Sequence, residues 1–348
     1  MDLLNVADFE ARAAELLDAG TYAYYAGGAN DERTLHENVA AWDRWALRPR
    51  ILVDVSEVTT RTSLLGRTLA MPLVVAPMAY QRMAHPDGEV AMGRAILGAG
   101  SLMTLSSLAT STRAEVAATG VPRWYQLYVP KDAGKARAIL DDAVEHGFEA
   151  LVLTVDTPVL GRRERDLRLG WHVPPTVRVQ NLGEGEVSPL GAFSEMSAAV
   201  TWRDVEKFAA DTKLPVILKG VYTADDARLA VEHGASAVIV SNHGGRQLDA
   251  VVGSAEALPE VADAIAGAIP VLVDGGIRRG TDVLKALALG ATAAMVGRPL
   301  LWGLTVDGEA GAAAVLELFR AEISLGLQLL GCTAPSDITR AHITRRPT

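Results

Sequence analysis

The chain has 348 residues, 49% of them hydrophobic and 22% charged, with a formal net charge of −9. That length leaves open two average domains or one large α/β barrel, and the hydrophobic share is enough for a large core. The acidic balance and scattered lysines and arginines argue against a nucleic-acid surface; with one cysteine, Cys332, neither an intrachain disulfide nor a thiolate metal cluster can form.

The first residues lack the basic stretch and apolar core of a secretory signal, and no window approaches the ~18 uninterrupted apolar residues of a membrane span. The final Arg-Arg-Pro-Thr is not a Ser-Lys-Leu type address. A cytoplasmic protein acting on a small soluble ligand is expected, with no nucleic-acid or membrane partner.

Residues 2–48 read as helical and polar, with apolar residues at helical spacing from Asp8 to Leu17. Next come Tyr22-Ala23-Tyr24-Tyr25-Ala26-Gly27-Gly28. Packing of a cap accounts for this cluster as well as ligand contact does, but a Tyr24 hydroxyl at a pocket edge can donate to a carboxylate. From residue 72 short apolar runs alternate with helical stretches. The predicted strands are Leu73–Ala76, Leu102–Leu105, Trp124–Tyr128, Ala150–Val155, Val216–Lys219, Ala237–Val240, Val271–Val273 and Ala293–Val296. Helices are predicted over Gly88–Leu97, Asp132–His146, Ala224–His233, Ala255–Ala266 and Thr281–Leu289, several closed by a glycine.

Eight β/α units predict an α/β fold of the (β/α)8 TIM barrel type over residues 72–348, with an N-terminal helical cap over 1–71, the whole forming one domain. A doubly wound sheet is the competing layout, but no Gly-x-Gly-x-x-Gly follows the first strand. After the fourth strand a polar, Gly- and Pro-containing stretch runs from Gly161 to Val200, the length of a lid, a disordered segment or a partner site.

In such a barrel the C-terminal strand ends carry the chemistry. Strand one delivers Ala76-Pro77-Met78-Ala79, small enough to expose backbone to a flat ligand. Strands two and three deliver Ser106, Gln126 and Tyr128, able to bond the polar edge of a heteroaromatic ring. Strand four offers Thr154 and Asp156, then Arg162 and Arg163. Strand five ends at Lys219, and a lysine there is costly to bury without an anionic partner, which points to a ligand atom that develops negative charge. After strand six comes Ser241-Asn-His243-Gly-Gly-Arg246-Gln-Leu-Asp249. It sets an imidazole that titrates near neutral pH beside a guanidinium that can grip a carboxylate in two places, a pairing suited to proton abstraction from a small organic acid. Strands seven and eight supply Asp274-Gly275-Gly276-Ile277-Arg278 and Gly297-Arg298, glycines and arginines at the pair of strands where barrels bind phosphate. No metal site is expected: His-Glu-x-x-His and Cys/His ligand spacings are absent.

These residues resemble the FMN-dependent (S)-2-hydroxy acid oxidases and dehydrogenases, which include glycolate, lactate and mandelate-oxidising enzymes. The resemblance runs from about Val6 to Ile343. It rests on Tyr-Tyr-Ala-Gly-Gly-Ala at 24–29, Thr-Leu-Ser-Ser at 104–107, Gln-Leu-Tyr at 126–128, Thr-Val-Asp-Thr-Pro at 154–158, Gly-Arg-Arg at 161–163, Lys-Gly at 219–220, the 241–247 run, Asp-Gly-Gly-Ile-Arg at 274–278 and Gly-Arg at 297–298.

The resemblance implies FMN lying across the strand ends. It implies His243 as catalytic base and Asp156 as its carboxylate partner, Arg246 and Arg163 gripping the substrate carboxylate with the Tyr24 hydroxyl, and Tyr128 touching the substrate oxygen. Lys219 would stand by the flavin N1 and O2; Pro77, Met78, Ala79, Ser106, Gln126, Thr154 and Ser241 would hold the ring and ribityl parts. Asp274, Gly276, Arg278, Gly297 and Arg298 would hold the ribityl chain and phosphate. It also implies a homotetramer or homo-octamer.

Two departures bear on substrate. Plant-type glycolate oxidases carry Thr and Trp where Met78 and Leu108 stand, so a pocket open to a larger acid is expected, and residues 76–82 are similar to the 4-hydroxymandelate oxidases. The polar loop after strand four favours molecular oxygen as electron acceptor, giving hydrogen peroxide. Lactate or glycolate oxidation, a lactate monooxygenase outcome, an FMN-dependent isomerase and a silent ligand binder are the alternatives.

Overall fold

The computed structural model describes residues 3–174, 176–182 and 194–347. Three helices open the chain: α1 (Val6–Leu16), α2 (Ala19–Ala26) and α3 (Arg33–Asp43). Asn5 caps the first by accepting from the amides of Ala7 and Asp8, and Asp18 caps the second by accepting from Gly20 and Thr21. The helical reading through residue 48 is corrected at its end. Local helical spacing does not govern there: Trp45–Leu47 pairs antiparallel with Ile343–Arg345, a partner almost the whole chain away.

Eight parallel strands close into a barrel: β1 (Leu73–Val75), β2 (Met103–Leu105), β3 (Arg123–Leu127), β4 (Leu151–Thr154), β5 (Val216–Val221), β6 (Ala237–Val240), β7 (Val271–Val273) and β8 (Ala293–Val296). All eight predicted strands are present, β6, β7 and β8 with the predicted bounds and the other five with ends shifted by one or two residues. One shift matters: β5 does not stop at Lys219 but runs on to Val221, with a break of register against β6 between those residues. The outer ring comprises α4 (Gly88–Gly98), α5 (Arg113–Ala117), α6 (Ala133–Glu145), α7 (Glu164–Leu169) inside the loop after β4, α8 (Trp202–Thr212), α9 (Ala224–Glu232), α10 (Ser254–Ile265), α11 (Gly280–Ala288) and α12 (Arg298–Leu330), the last bent at Asp307 and Gly308. Of the long 161–200 loop, residues 175 and 183–193 lie outside the described residues.

The two-residue period of a strand decides what reaches the mouth. Val74, Leu102, Trp124, Val152, Ile217, Ala237, Ile239, Leu272 and Met295 fill the barrel interior, with Leu64 and Leu69 from the hairpin Thr62–Leu64/Arg67–Leu69 joining the same cluster. Leu151, Leu153, Val216, Leu218, Val238 and Val240 pack outward against the helices. Continuing the inward set by two residues gives Thr104, Gln126, Thr154, Lys219, Ser241 and Asp274. The interior therefore changes from apolar to polar within one layer at the C-terminal end.

The N-terminal helices cover that end. Asn38 and Asn242 exchange amide hydrogen bonds at 2.7 and 2.8 Å, Trp42 Nε1 donates to the Gly275 carbonyl at 2.9 Å, and Lys285 Nζ donates to the Trp42 carbonyl at 2.9 Å.

Candidate active site

The turn after β6 holds three consecutive residues in the left-handed region, His243 (φ 59), Gly244 (φ 64) and Gly245 (φ 76). A Cβ on Gly245 would sit 2.6 Å from the Leu35 amide nitrogen, so only glycine lets the turn lie against α3. The non-glycine member is His243, held in a sparsely populated conformation that aims its ring.

Its Nδ1 lies 2.9 Å from Asp156 Oδ1 and its Nε2 lies 3.2 Å from the Tyr128 hydroxyl. Pairing of Nδ1–H with the carboxylate leaves Nε2 as the basic nitrogen facing Tyr128. Burial lowers the His243 pKa, Asp156 works the other way, and Lys219 and Arg163 add to the lowering, so the ring is a neutral base at neutral pH. Asp156 pays a desolvation penalty, yet His243 and Lys219 outweigh it and keep the carboxylate ionised. Burial pushes the Tyr128 phenol well up, so it remains a donor. The Thr157 hydroxyl donates to Asp156 Oδ1 at 2.9 Å and lies 3.2 Å from His243 Nδ1.

Beside the base, Arg246 Nη1 donates to the carbonyls of Tyr24 (2.6 Å) and Gly27 (2.9 Å). Arg298 donates to the carbonyls of Tyr25 (2.8 Å), Gly27 (2.9 Å) and Gly244 (3.1 Å). Carbonyls satisfy donors but bring no negative charge. Burial and then Arg163 pull Arg246 down to about 10, and burial, Arg246 and Arg278 pull Arg298 well below the ordinary guanidinium value. Such a cluster of mutually repelling cations calls for anions from a ligand. The Tyr24 ring lies among them, 4.9 Å from Arg246 Cζ and 5.6 Å from Arg163 Cζ.

Lys219 Nζ reaches Asp274 Oδ2 at 3.0 Å and donates to Ser241 Oγ at 2.7 Å. Burial lowers its pKa, but Asp274 and Asp156 together more than reverse this, so the ammonium stays charged. Three polar atoms in the same layer, Thr154 Oγ1, Gln126 Nε2 and Asp274 Oδ1, are shut from solvent with no hydrogen-bond partner among the described residues. Gly276 (φ 78) has no room for a side chain, since a Cβ would fall 1.9 Å from the Asn38 carbonyl oxygen.

A cavity of about 1000 Å³, its open mouth included, joins these groups. Of the residues singled out from the sequence, Tyr24, Pro77, Met78, Ala79, Ser106, Tyr128, Thr154, Arg163, Lys219, His243, Arg246, Asp274, Gly276, Arg278, Gly297 and Arg298 line it. Asp156, Gln126 and Ser241 do not; they stand behind His243, Ser106 and Lys219 as hydrogen-bond partners. Two contributors escaped the sequence reading. One is Thr157, whose only local signal is its place after Asp156. The other is Gln247, whose side chain accepts from Gly161 N at 3.0 Å and donates to the carbonyls of Asp156 (3.2 Å) and Val159 (2.8 Å), tying the two catalytic turns together. Among the described residues no group of three or more His, Cys, Asp or Glu is arranged to hold a metal ion, and no helix is long and apolar enough to cross a membrane.

The profile of the FMN-dependent dehydrogenase family matches residues 13–345. Glycolate oxidase 1 of Oryza sativa subsp. indica is 48% identical over 98% of this chain and 96% of its own length. L-lactate oxidase of Nostoc sp. (strain PCC 7120) is 46% identical over 98% of both chains. A solved structure of mandelate oxidase with (S)-4-hydroxymandelic acid superposes with a TM-score of 0.94 at 40% identity, covering 99% of each chain.

Proposed function

Because the chain belongs to the FMN-dependent dehydrogenase family, whose members bind FMN, we propose that it oxidises an (S)-2-hydroxy acid larger than glycolate, mandelate or 4-hydroxymandelate, to the 2-oxo acid, with O2 as acceptor and H2O2 as product. The observation that carries this reading is a single constellation: His243 paired to Asp156, its Nε2 beside the Tyr128 hydroxyl, next to Arg246 and Arg163 in one cavity.

The residues present fit FMN. The unpartnered Thr154 Oγ1 and Gln126 Nε2 would offer hydrogen bonds to a polar ring edge, and Asp274 Oδ1 would accept from a ribityl hydroxyl. Arg278 and Arg298, both depressed by burial, gain from a phosphate dianion. Lys219 would stabilise negative charge at the ring, and Pro77 to Ala79 would supply an apolar wall against it. FMN, when bound, accepts the two electrons that leave the α-carbon.

The protein's own residues do the rest. Arg163 and Arg246 hold the substrate carboxylate with the Tyr24 hydroxyl, which fixes the α-carbon's orientation. Tyr128 hydrogen-bonds the substrate oxygen, and His243 Nε2 takes one proton. Asp156 then faces an imidazolium across 2.9 Å and stabilises it.

Leu108 and Met78 in the cavity wall support the larger substrate, since a leucine leaves space that an indole at 108 would fill. The oxidase names of the relatives and the 4-hydroxymandelate-bound structural neighbour support the acceptor and the substrate class. We carry with this reading a cytoplasmic homotetramer or homo-octamer. The test is the visible spectrum of the holoenzyme titrated anaerobically with (S)-mandelate and, separately, (S)-lactate, followed by aeration and a peroxide assay. Bleaching by mandelate at the lower concentration, with stoichiometric peroxide on aeration, is expected. Preference for lactate overturns the substrate, and a flavin that neither acid bleaches overturns the activity.

A further inference from the structure

Past Arg163 and α7, the loop after β4 brings in Trp171, whose amide donates to the Asp166 carbonyl at 2.9 Å. The indole stacks on the Tyr24 ring, centroids 4.6 Å apart and planes at 23°. On the cap side it meets Gly20. A Cβ there would lie 2.0 Å from Trp171 Cδ1 and 2.7 Å from Nε1. Gly20 is in the first turn of α2, where alanine is intrinsically favoured over glycine, so the bare backbone at this position is explained by the indole that occupies the space. A second tie runs parallel: Arg165 Nη2 lies 2.5 Å from Glu32 Oε2, while Glu32 Oε1 accepts from Gly28 N at 2.8 Å. Trp171 itself does not line the cavity.

We propose that Trp171 is a positioning residue for substrate binding: seated between Gly20 and Tyr24, it fixes the loop that carries Arg163 to the helix that carries Tyr24, so that both carboxylate-binding groups are in place before substrate arrives. The inference rests on the hydroxy-acid reading above and names the device that prepares its carboxylate site. Without the stack, Tyr24 and Arg163 must be ordered by the substrate itself, which weakens binding. Asp156 and His243 stand on the turns after β4 and β6, Asp156 held by Gln247 and His243 by Asp156, with no stacking contact to the indole, so the chemical step is spared.

The experiment compares wild-type holoenzyme with Trp171→Ala, Trp171→Phe and Gly20→Ala. KM for (S)-mandelate is measured beside the Kd of phenylacetate, a carboxylate without the reactive hydroxyl, from its perturbation of the flavin absorbance. Trp171→Ala and Gly20→Ala are expected to raise both constants about tenfold, equivalent to about 1.4 kcal/mol, with kcat within about twofold and FMN content unchanged. Trp171→Phe keeps a stacking ring and stays near wild type. Gly20→Ala is the decisive variant, because it improves helix propensity and leaves the thermal midpoint undiminished while evicting the indole. Unchanged KM and Kd in both variants of a working wild type overturn the inference, as does a fall in kcat and FMN content with KM constant. A wild type that turns over no 2-hydroxy acid overturns the parent reading instead.

Discussion

His243 has two partners with different duties, and they separate by pH. Activity requires the neutral ring, so kcat/KM falls as pH drops through the lowered His243 pKa. Asp156 is the group that raises that pKa against burial. Asp156→Asn is therefore expected to move the acid limb to lower pH while cutting the rate of flavin reduction by about 100-fold, since the imidazolium loses its counter-charge. Stopped-flow reduction across pH checks both signs; an acid limb that moves upward contradicts the assignment. His243→Ala is expected to keep FMN and lose at least about 100-fold in the same step. At position 108, Leu108→Trp fills the cavity wall and is expected to favour glycolate over mandelate by tenfold or more in kcat/KM, about 1.4 kcal/mol. His243, Arg246 and Lys219 are legible in the sequence because a base or cation that follows an apolar run has no local partner and must find a remote one. Thr157 and Gln247 are not, because what makes them matter are acceptors and donors 86 to 91 residues away.

Strand parity places the polar layer, and this is why the barrel could be read in advance: each buried run is short and apolar, and on six of the eight strands the residue two beyond the inward apolar side chain is polar, β1 and β8 carrying Ala76 and Gly297 there instead. The extension of β5 past Lys219 was hidden because Gly220 reads as a stop, whereas pairing with β6 carries the strand on. The hairpin at 62–69 and the strand at Trp45–Leu47 were hidden too, since each is three residues long on a side and depends on its partner. Two predictions belong here. Gly276→Ala drives a methyl into the Asn38 carbonyl at a left-handed residue, and is expected to cost roughly 2 kcal/mol or more with loss of FMN, read by thermal unfolding and the flavin content of the purified protein. Lys219→Met strands Asp274 in the interior and is expected to cost about 3–5 kcal/mol in denaturant unfolding of the apoprotein. Adding Asp274→Asn restores most of that stability without restoring flavin reduction; failure of the double variant to recover would mean that the pair is not what Lys219 supports.

On the scale of the whole molecule, the cap is joined to the barrel mouth by bonds between residues far apart in sequence: Asn38 to Asn242, Trp42 to Gly275, and Arg298 to the carbonyls of Tyr25 and Gly27. Every such contact closes a loop of more than 200 residues, the kind of topology that folds slowly. On the ribosome the order of events follows from this. The cap is made before the barrel it covers, and the partners of these bonds, on the turns after β6 and β7 and at the start of α12, come late, so Asn38, Trp42 and the Tyr25 and Gly27 carbonyls wait for them until most of the barrel has been made. Nascent chains cut short before Asn242 would accordingly lack all of these bonds, and the sites most in need of chaperone cover during synthesis are the apolar faces of α1 to α3.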